Sequence, residues 1–342
     1  MWNSKIFCWA SYDWANSSFS TTVMAGFFPL FFQKFWSDGA DPTLTTARLG
    51  SAISISSLIM AFGSPFMGTL ADHKGTKKIF LFTFQALAVI SCAALAWVPK
   101  GDWFSAAALY AISTLGFNAS SVFYDSLLPS VADDSQADYA SSLGYSLGYL
   151  GGGVLFTFNI LMYLFPQKFG LIDGAQAVQF SFISVSIWWT IFSIPLFKFI
   201  PEPPATGAHL SFFKASIKSL IEMGHTFVKL FQNRNLLYYL IAFWLYIDGV
   251  YTVITMAVDY GVSIGIKSTD LIASLILVQY LGFPFALLFS KLSKRWGSKK
   301  PILFCIGVYI FITFFATQIS SVWHFYFLAI LIGMVQGGVQ AL

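Results

Sequence analysis

Ten long apolar runs constrain this chain more than any other feature of its sequence. Most are at or above the ~20 residues that a helix needs to cross a bilayer, and none alternates as the ~10-residue strands of a membrane barrel do. They span residues 6–32, 49–71, 79–98, 103–127, 141–165, 175–199, 236–260, 270–292, 301–319 and 322–342. The sequence therefore predicts an all-α polytopic membrane protein.

The composition excludes several other classes of protein. Of the 342 residues, 57% are hydrophobic and 10% are charged, which is too little polar surface to cover a soluble core. The aromatic content of 19% excludes a disordered chain. The net charge of only +4 argues against a nucleic-acid partner. We expect neither a metal site nor a cofactor, because the sequence holds no metal-ligand cluster and no nucleotide-binding glycine loop.

The distribution of basic residues predicts how the chain is oriented. If the N-terminus is cytoplasmic, the cytoplasmic side holds 14 of the 19 lysine and arginine residues and the other side holds five. Cytoplasmic loops of membrane proteins carry such an excess. We therefore expect a multi-pass protein with a cytoplasmic N-terminus.

The longest polar stretch, residues 201–234, divides the apolar runs into six and four. It opens with Pro201, Pro203 and Pro204, which stop the sixth helix. Apolar residues then recur at helical spacing and lysines take another face, which predicts an amphipathic helix on the cytoplasmic membrane surface. We expect a six-helix half at 1–200, a linker at 201–234 and an incomplete second half of four helices at 235–342.

Two loops of the chain repeat each other. The loop after the second run reads Gly-Thr-Lys-Lys over 75–78, and the loop after the eighth run reads Gly-Ser-Lys-Lys over 297–300. Both lie between the second and third runs of their own part of the chain. This placement indicates a parallel repeat of a six-helix unit, with chance similarity between two basic loops as the alternative.

The first of these loops, Gly68-x-x-x-Asp72-x-x-Gly75-x-Lys77-Lys78, resembles the loop signature of the major facilitator superfamily. Other segments resemble the vacuolar-effluxer-like permease branch of that superfamily, namely residues 12–19, 123–129, 142–153, 246–250 and 333–342. The resemblance implies a bundle of two six-helix halves that works by alternating access. Fungal members of this branch are associated with autophagy and with amino-acid export from the vacuole. Because twelve helices are implied and ten are found, we expect the last two to be missing.

Asp13 and Asp248 are candidates for binding a substrate or a proton. Asp13 lies ~10 Å inside the first run at 1.5 Å of rise per residue, and Asp248 lies near the middle of the seventh. A carboxylate at such a depth costs at least ~2.5 kcal/mol, so it usually faces a bundle interior or a water-filled path. The resemblance implies that the first and seventh helices line the central cavity. A structural hydrogen bond to a neighbouring helix is the alternative for both residues.

Uncharged side chains complete the predicted cavity. The remaining candidates are Asn16, Gln336, Gln340, Tyr12, Trp14 and Tyr246. The aromatic rings could stack on an ammonium group, although packing against lipid or helices is the favoured alternative. No lysine or arginine lies in mid-membrane, which argues against a polyanionic substrate and favours a zwitterion, a cation or a neutral solute.

A second set of residues is expected to gate the transport path. These are Gly68, Asp72, Gly75, Lys77, Lys78, Asp125, Lys294 and Gly297. The resemblance implies that Asp72 engages a helix end of the other half, and Lys294 in the equivalent position makes the second loop chemically different. A structural role is the alternative for Asp125, and orientation or lipid binding for the lysines. Residues 133–138 are expected to form a solvated acidic loop through Asp133, Asp134 and Asp138.

Gly144, Gly148 and Gly152 recur every four residues in the fifth run. One face of this helix is therefore bare backbone and permits close helix packing. A sliding contact between the two halves and a tight static contact are equal alternatives.

We therefore expect a secondary transporter and not an enzyme. It would move a small solute such as an amino acid or another zwitterionic or neutral metabolite, with protons as a possible coupling ion, as a monomer in the cytoplasmic membrane of a bacterium. Its expected partners are that solute, protons and membrane lipids. The alternatives are a membrane-embedded enzyme or a lipid scramblase that uses the same polar cavity, and a non-transporting receptor or scaffold.

Overall fold

A computed structural model describes residues 4–37, 39–133, 135–205 and 212–342. These residues are nearly all helical and contain no strand. The long helices are α1 (4–36), α2 (Pro42–Lys74), α3 (Lys77–Ala94), α4 (Trp103–Asp125), α5 (Ala137–Leu164), α6 (Gly174–Phe199), α7 (Phe212–Gln232), α8 (Arg234–Ser263), α9 (Ser268–Trp296), α10 (Lys299–Ala316) and α11 (Val322–Ala341). The predicted all-α fold class is confirmed.

Nine helices in the described ranges, α2–α6 and α8–α11, are long and apolar enough to cross a membrane. The first predicted run corresponds to α1, which changes its winding along its length. It is α-helical over Ser4–Ser18, π-helical over Phe19–Phe27, α-helical over Phe28–Phe31 and π-helical over Phe32–Trp36. Wider π turns are rare and often lie near functional sites.

Local sequence signals explain where the helices begin and end. The side chain of Asp41 accepts hydrogen bonds from the backbone of Thr43 and Leu44 ahead of α2, and that of Asp102 accepts one from Ser105 ahead of α4. Such caps satisfy backbone N–H groups that have no partner within the helix. Hydrogen bonding from the side chains of Thr43 and Ser105, together with these backbone bonds, lowers the pKa of the two carboxyl groups below its ordinary value. Gly75 ends α2 with a φ of +61°, a conformation that glycine adopts without strain.

The bundle is organised around α1 and α5. In the first half, α1 packs against α5 and α6, and α3 packs against α4. The buried centre is aromatic and includes Phe19, Phe28, Trp36 and Trp189, each 0% exposed. The two halves meet mainly where α5 lies along α9, and α9 in turn packs on α11. The face that carries the start of α1 and the ends of α2, α6 and α9 is called the basic face below, and the other is called the opposite face.

The helix expected between the two halves is present as α7. It contacts α2 and the beginning of α8. The predicted linker at 201–234 extends over residues 206–211, which lie outside the described residues. Asp134 of the predicted acidic loop also lies outside them.

Candidate functional site

Asp13 lies in a pocket formed by α1, α4 and α5. The hydroxyl of Tyr124 donates a hydrogen bond of 2.7 Å to Asp13 Oδ2. The indole of Trp9 donates to the carbonyl of Tyr124 at 3.1 Å, and its ring stacks on Tyr124 with 4.3 Å between centroids. Tyr12, predicted as a cavity residue, is buried and stacks on Tyr124 from 4.8 Å. The orientation of the Asp13 carboxylate is thus set by aromatic neighbours.

The glycines of α5 create the space for this carboxylate. A Cβ atom built on Gly144 would overlap Asp13 Oδ2, and one on Gly148 would lie 2.5 Å from Ser17 Oγ. On Gly152 it would lie 2.6 Å from Thr21 Oγ1. The predicted glycine face therefore packs tightly on α1 within the first half, and it does not lie between the halves.

Asp125 lies next to this pocket and faces open space. Its side chain is exposed, yet it interacts electrostatically with Asp13, Tyr145 and Tyr251. These residues come from α1, α5 and α8, and the space in front of the exposed Asp125 carboxylate at the end of α4 is called the gap below. The carboxylate has no hydrogen-bond partner or ion pair among the residues that the structure describes. The gating role predicted for Asp125, with a structural role as the alternative, stays a prediction.

Tyr149 connects this region to the second half. Its hydroxyl donates a 2.7 Å hydrogen bond to Gln340 Oε1 on α11. The ring lies so close to Gly282 and Gly337 that Cβ atoms there would approach it to 2.7 and 3.2 Å. Gln336, also predicted to line the cavity, is 7% exposed and interacts with Tyr149. The two glutamines therefore meet α5 of the other half.

Tyr145 and Tyr149 were not among the residues predicted to line the cavity. The sequence could have predicted that they belong together, because Tyr145 and Tyr149 are four residues apart on the glycine-rich helix α5. Residues at this spacing share one helix face.

Four other residues that were predicted to bind the solute or a proton make no hydrogen bond to the Asp13 carboxylate. Asn16 is buried on α1. Trp14 stacks on Trp188 at 5.7 Å and packs toward α6. On α8, Tyr246 packs against Phe243, and Asp248 is exposed with no hydrogen bond to its carboxylate from any described residue. The structure does not bring Asp248 together with Asp13.

The loop between α2 and α3 ties several helix ends of the first half together. Lys77 forms a 2.8 Å ion pair with Asp72 and reaches the carbonyl of Ser126 beyond α4. Lys78 Nζ donates to the carbonyls of Phe197 and Ile200 at 2.7 and 2.6 Å. It thereby caps the C-terminal end of α6, where free carbonyls favour a cation. Gly75 lies against Ala205, and Gly68 has open space beside it.

The loop between α9 and α10 contacts the other half instead. Lys294 lies over the ring of Tyr139 at 5.4 Å, next to Gly297 with its φ of +74°. Ser293 and Ser298 donate hydrogen bonds of 2.5 and 3.0 Å to Asp138 Oδ2 at the start of α5. The expectation that Asp138 belongs to a solvated loop is therefore wrong, because its carboxylate links the two halves at the basic face. Asp133 is exposed as expected.

Hydrogen bonds near helix ends link the halves at the opposite face as well. Lys34 Nζ donates to Ser268 Oγ at 2.8 Å, and Thr46 Oγ1 donates to Asp259 Oδ2 at 2.9 Å. Asp259 is 8% exposed and was not among the predicted site residues. Its position within an apolar run could have marked it as a candidate for a contact between helices.

The second half also contains an apolar cavity of about 280 Å³ between α8, α9, α10 and α11. Its lining includes Met256, Val278, Ile312 and Phe325, and it contains no charged side chain. No group of three or more His, Cys, Asp or Glu side chains comes together in the described part of the chain. The polar region around Asp13 and Asp125 is therefore the better candidate for a solute site.

Comparison with known proteins identifies the family. The family described as vacuole effluxer Atg22 like matches residues 45–342. An uncharacterised MFS-type transporter of Bacillus subtilis, YxiO, is 34% identical over 98% of this chain and 78% of its own length. The chain belongs to the Atg22-like family. This family is a branch of the major facilitator superfamily, as the sequence predicted, and its Bacillus relative is described as an MFS-type transporter.

More distant relatives agree with this assignment. Autophagy-related protein 22 of Saccharomyces cerevisiae is 22% identical over 97% of this chain and 78% of its own length. Among solved structures, the xylose transporter XylE of E. coli in a partially occluded inward-open conformation superposes with a TM-score of 0.68. It is 16% identical, and the match covers 99% of this chain and 86% of XylE. This likeness establishes that the Atg22-like chain has the fold of a major facilitator transporter.

Proposed function

We propose that this Atg22-like protein is a secondary transporter that moves a small zwitterionic solute, of the amino-acid type, by alternating access. The family description and the name of the Bacillus relative support transport, and the fungal relatives are named for autophagy. The single observation that carries the proposal is the pair of carboxylates, Asp13 and Asp125, at a gap between helices of both halves. A solute held there contacts both moving parts.

The charges around this gap favour an ammonium group. Residues 6–33 of α1, all of α4 and α5, and α8 beyond Arg234 contain no lysine or arginine. A carboxylate without a protein cation is compensated by a cation from the solute or by a proton. The rings of Tyr145 and Tyr251 can add cation–π attraction, and Gln336 and Gln340 offer hydrogen bonds to a carboxylate of the solute.

Proton movement belongs to the same proposal. Tyr124 donates a hydrogen bond to Asp13, and Asp125 is exposed to the gap. A carboxyl group that alternates between water and a closed cavity can take up a proton in one state and release it in the other. Two proximate carboxyl groups then exchange a proton for the ammonium group of the solute.

The hydrogen bonds at the two faces support alternating access. Opening the opposite face separates Lys34 from Ser268 and Thr46 from Asp259, and opening the basic face separates Asp138 from Ser293 and Ser298. We further propose that the basic face is cytoplasmic, in a bacterial cytoplasmic membrane, and that the monomer is the working unit with its halves at 1–200 and 235–342.

Uptake into proteoliposomes tests this function. We expect accumulation of at least one labelled neutral amino acid, with a rate that changes when a pH gradient is imposed. Sugars and dicarboxylates serve as controls, and we expect neither to be taken up nor to compete. Uptake of a dicarboxylate in preference to every amino acid would contradict the proposed substrate class.

A further inference from the structure

The linker helix α7 has two different faces. One faces the bundle, where Ser219 is 0% exposed and Glu222 Oε2 lies 2.9 Å from Nε2 of His73 at the end of α2. The other carries a row of exposed apolar side chains. The row comprises Phe213 (74% exposed), Ile217, Leu220, Ile221, Val228 and Phe231 (69% exposed). Six apolar residues on one side of a helix form a surface that water does not favour.

The middle and the C-terminal end of α7 hold it at the level of the basic face. The contact between Glu222 and His73 fixes its middle to the end of the spanning helix α2. At its C-terminal end, one residue, Asn233, separates α7 from the spanning helix α8. Because α8 is long and apolar enough to cross a membrane, Phe231 lies within one turn of the start of a candidate spanning helix. Tyr238 and Tyr239 follow on the first turns of α8 and are 64% and 65% exposed, as is typical of aromatic residues at an interface.

A polar cleft adjoins the apolar row at the junction of the two helices. It is lined by Lys229, Gln232, Asn233, Arg234 and Asn235. Among the described residues, no carboxylate pairs with Lys229 or Arg234. Two cations with neighbouring amides match the oxygens of a phosphate group.

We propose that α7 docks on an anionic phospholipid surface, with its apolar row in the acyl boundary and a lipid phosphate in the cleft of Lys229 and Arg234. Amphipathic helices with a basic flank bind membranes in this way, through apolar area together with attraction to anionic head groups. Lys229 and Arg234 favour a lipid over a protein as the partner of α7. A lipid phosphate supplies a counter-charge for both side chains, whereas an apolar protein surface would leave them without one. The contact between Glu222 and His73 connects the lipid-bound helix α7 to the end of α2 and the loop that follows it.

Spin labels on α7 test the orientation of the row in the full chain. Single cysteines replace Phe213, Leu220 and Phe231, and Thr226, exposed on the other side of the helix, is the matched control, all in a Cys8→Ser background. In vesicles of phosphatidylcholine and phosphatidylglycerol, we expect oxygen to reach the three row labels and a water-soluble nickel complex to reach position 226. If the nickel complex reaches the row equally well, or if neither reagent reaches it because protein covers it, the proposal is overturned.

Lipid binding to the cleft is measured by native mass spectrometry of the purified chain. We expect Lys229→Gln with Arg234→Gln to weaken phosphatidylglycerol binding by about fivefold per charge, and to leave phosphatidylcholine binding unchanged. The charge-matched control is Lys168→Gln with Lys267→Gln, two exposed lysines at the opposite face, and we expect it to bind as the unaltered chain does. Equal phosphatidylglycerol binding by both double variants would refute the proposal that the cleft binds a lipid phosphate.

Discussion

At the scale of single residues, the sequence located Asp13 but not its partners. A carboxylate within an apolar run signals a polar site by its position alone. Its hydrogen bond to Tyr124 and the space left by Gly144 depend on how α1, α4 and α5 approach each other, which periodicity does not reveal. The same limit applies to Asp248, whose place in the seventh run suggested a buried acid although the structure leaves it exposed.

Removing the hydroxyl of Tyr124 tests the orientation of Asp13. We expect Tyr124→Phe to slow transport by about tenfold or more, because hydrogen bonds to charged groups contribute about 1.5–3 kcal/mol. Tyr163→Phe on α5 is the control, since no hydrogen bond to its hydroxyl is found among the described residues. Uptake rates at equal protein density are compared. An unchanged rate in Tyr124→Phe would show that this hydrogen bond has no part in transport.

Gly144→Ala tests the close approach of α5 to α1. The added Cβ overlaps the Asp13 carboxylate, so we expect a loss of about 1–3 kcal/mol in the free energy of unfolding. Gly307→Ala on α10, where a Cβ meets nothing within 4 Å, should be neutral or stabilising by up to about 1 kcal/mol. Thermal unfolding of both variants in the same detergent gives the comparison. Equal stability of the two would contradict the observed packing.

At the scale of helices, the apolar runs predicted most elements well because membrane helices need long uninterrupted apolar segments. The π turns of α1 were not predictable, since no composition signal distinguishes them from α turns. The contacts of the two repeated loops were not predictable either. Lys78 caps a helix of its own half, whereas Ser293 and Ser298 bind Asp138 of the other half.

The capping role of Lys78 gives a prediction about stability. Lys78→Ala leaves the carbonyls of Phe197 and Ile200 without their donor, and we expect a loss of about 1–3 kcal/mol. Lys299→Ala, an exposed lysine at the start of α10, is the control and should change stability by less than about 0.5 kcal/mol. Denaturation followed by intrinsic fluorescence measures both. A similar small effect in the two variants would argue against the cap.

The caps ahead of α2 and α4 give a prediction about pH. Because the folded-state pKa of Asp41 and Asp102 is lowered, each carboxylate stabilises the fold above its unfolded pKa, and this contribution is lost as the pH falls through the folded pKa. Asparagine caps helices equally well without titrating. We therefore expect the melting temperature of Asp41→Asn with Asp102→Asn to fall less steeply with acid than that of the unaltered chain. Parallel pH profiles would contradict the assignment.

At the scale of the whole molecule, the repeat and the loop signature predicted the major facilitator fold, which the comparisons confirm. The sequence did not predict the hydrogen bonds that link the halves at each face. They arise from single polar residues near helix ends, and only the packed bundle brings Thr46 to Asp259 and Lys34 to Ser268.

Weakening the opposite-face contacts should shift the balance between conformations. We expect Thr46→Val with Lys34→Met to enrich states open at that face by about fivefold for each hydrogen bond lost. Pulsed electron paramagnetic resonance between labels at positions 44 and 264 should then show a larger fraction of long distances. Thr69→Val, which removes a hydrogen bond within α2, is the control. An identical distance distribution in all three proteins would mean that these contacts do not hold the face closed.

The most direct measurement is amino-acid uptake into proteoliposomes by Asp13→Asn and Asp125→Asn, each compared with Asp133→Asn. Asp133 is an exposed loop acid outside the gap, so its variant controls for the loss of one charge. We predict that both gap variants lose at least about tenfold in uptake and lose the response to a pH gradient, while Asp133→Asn transports normally. Normal uptake by both gap variants would contradict the assignment of the solute site to this pair of carboxylates.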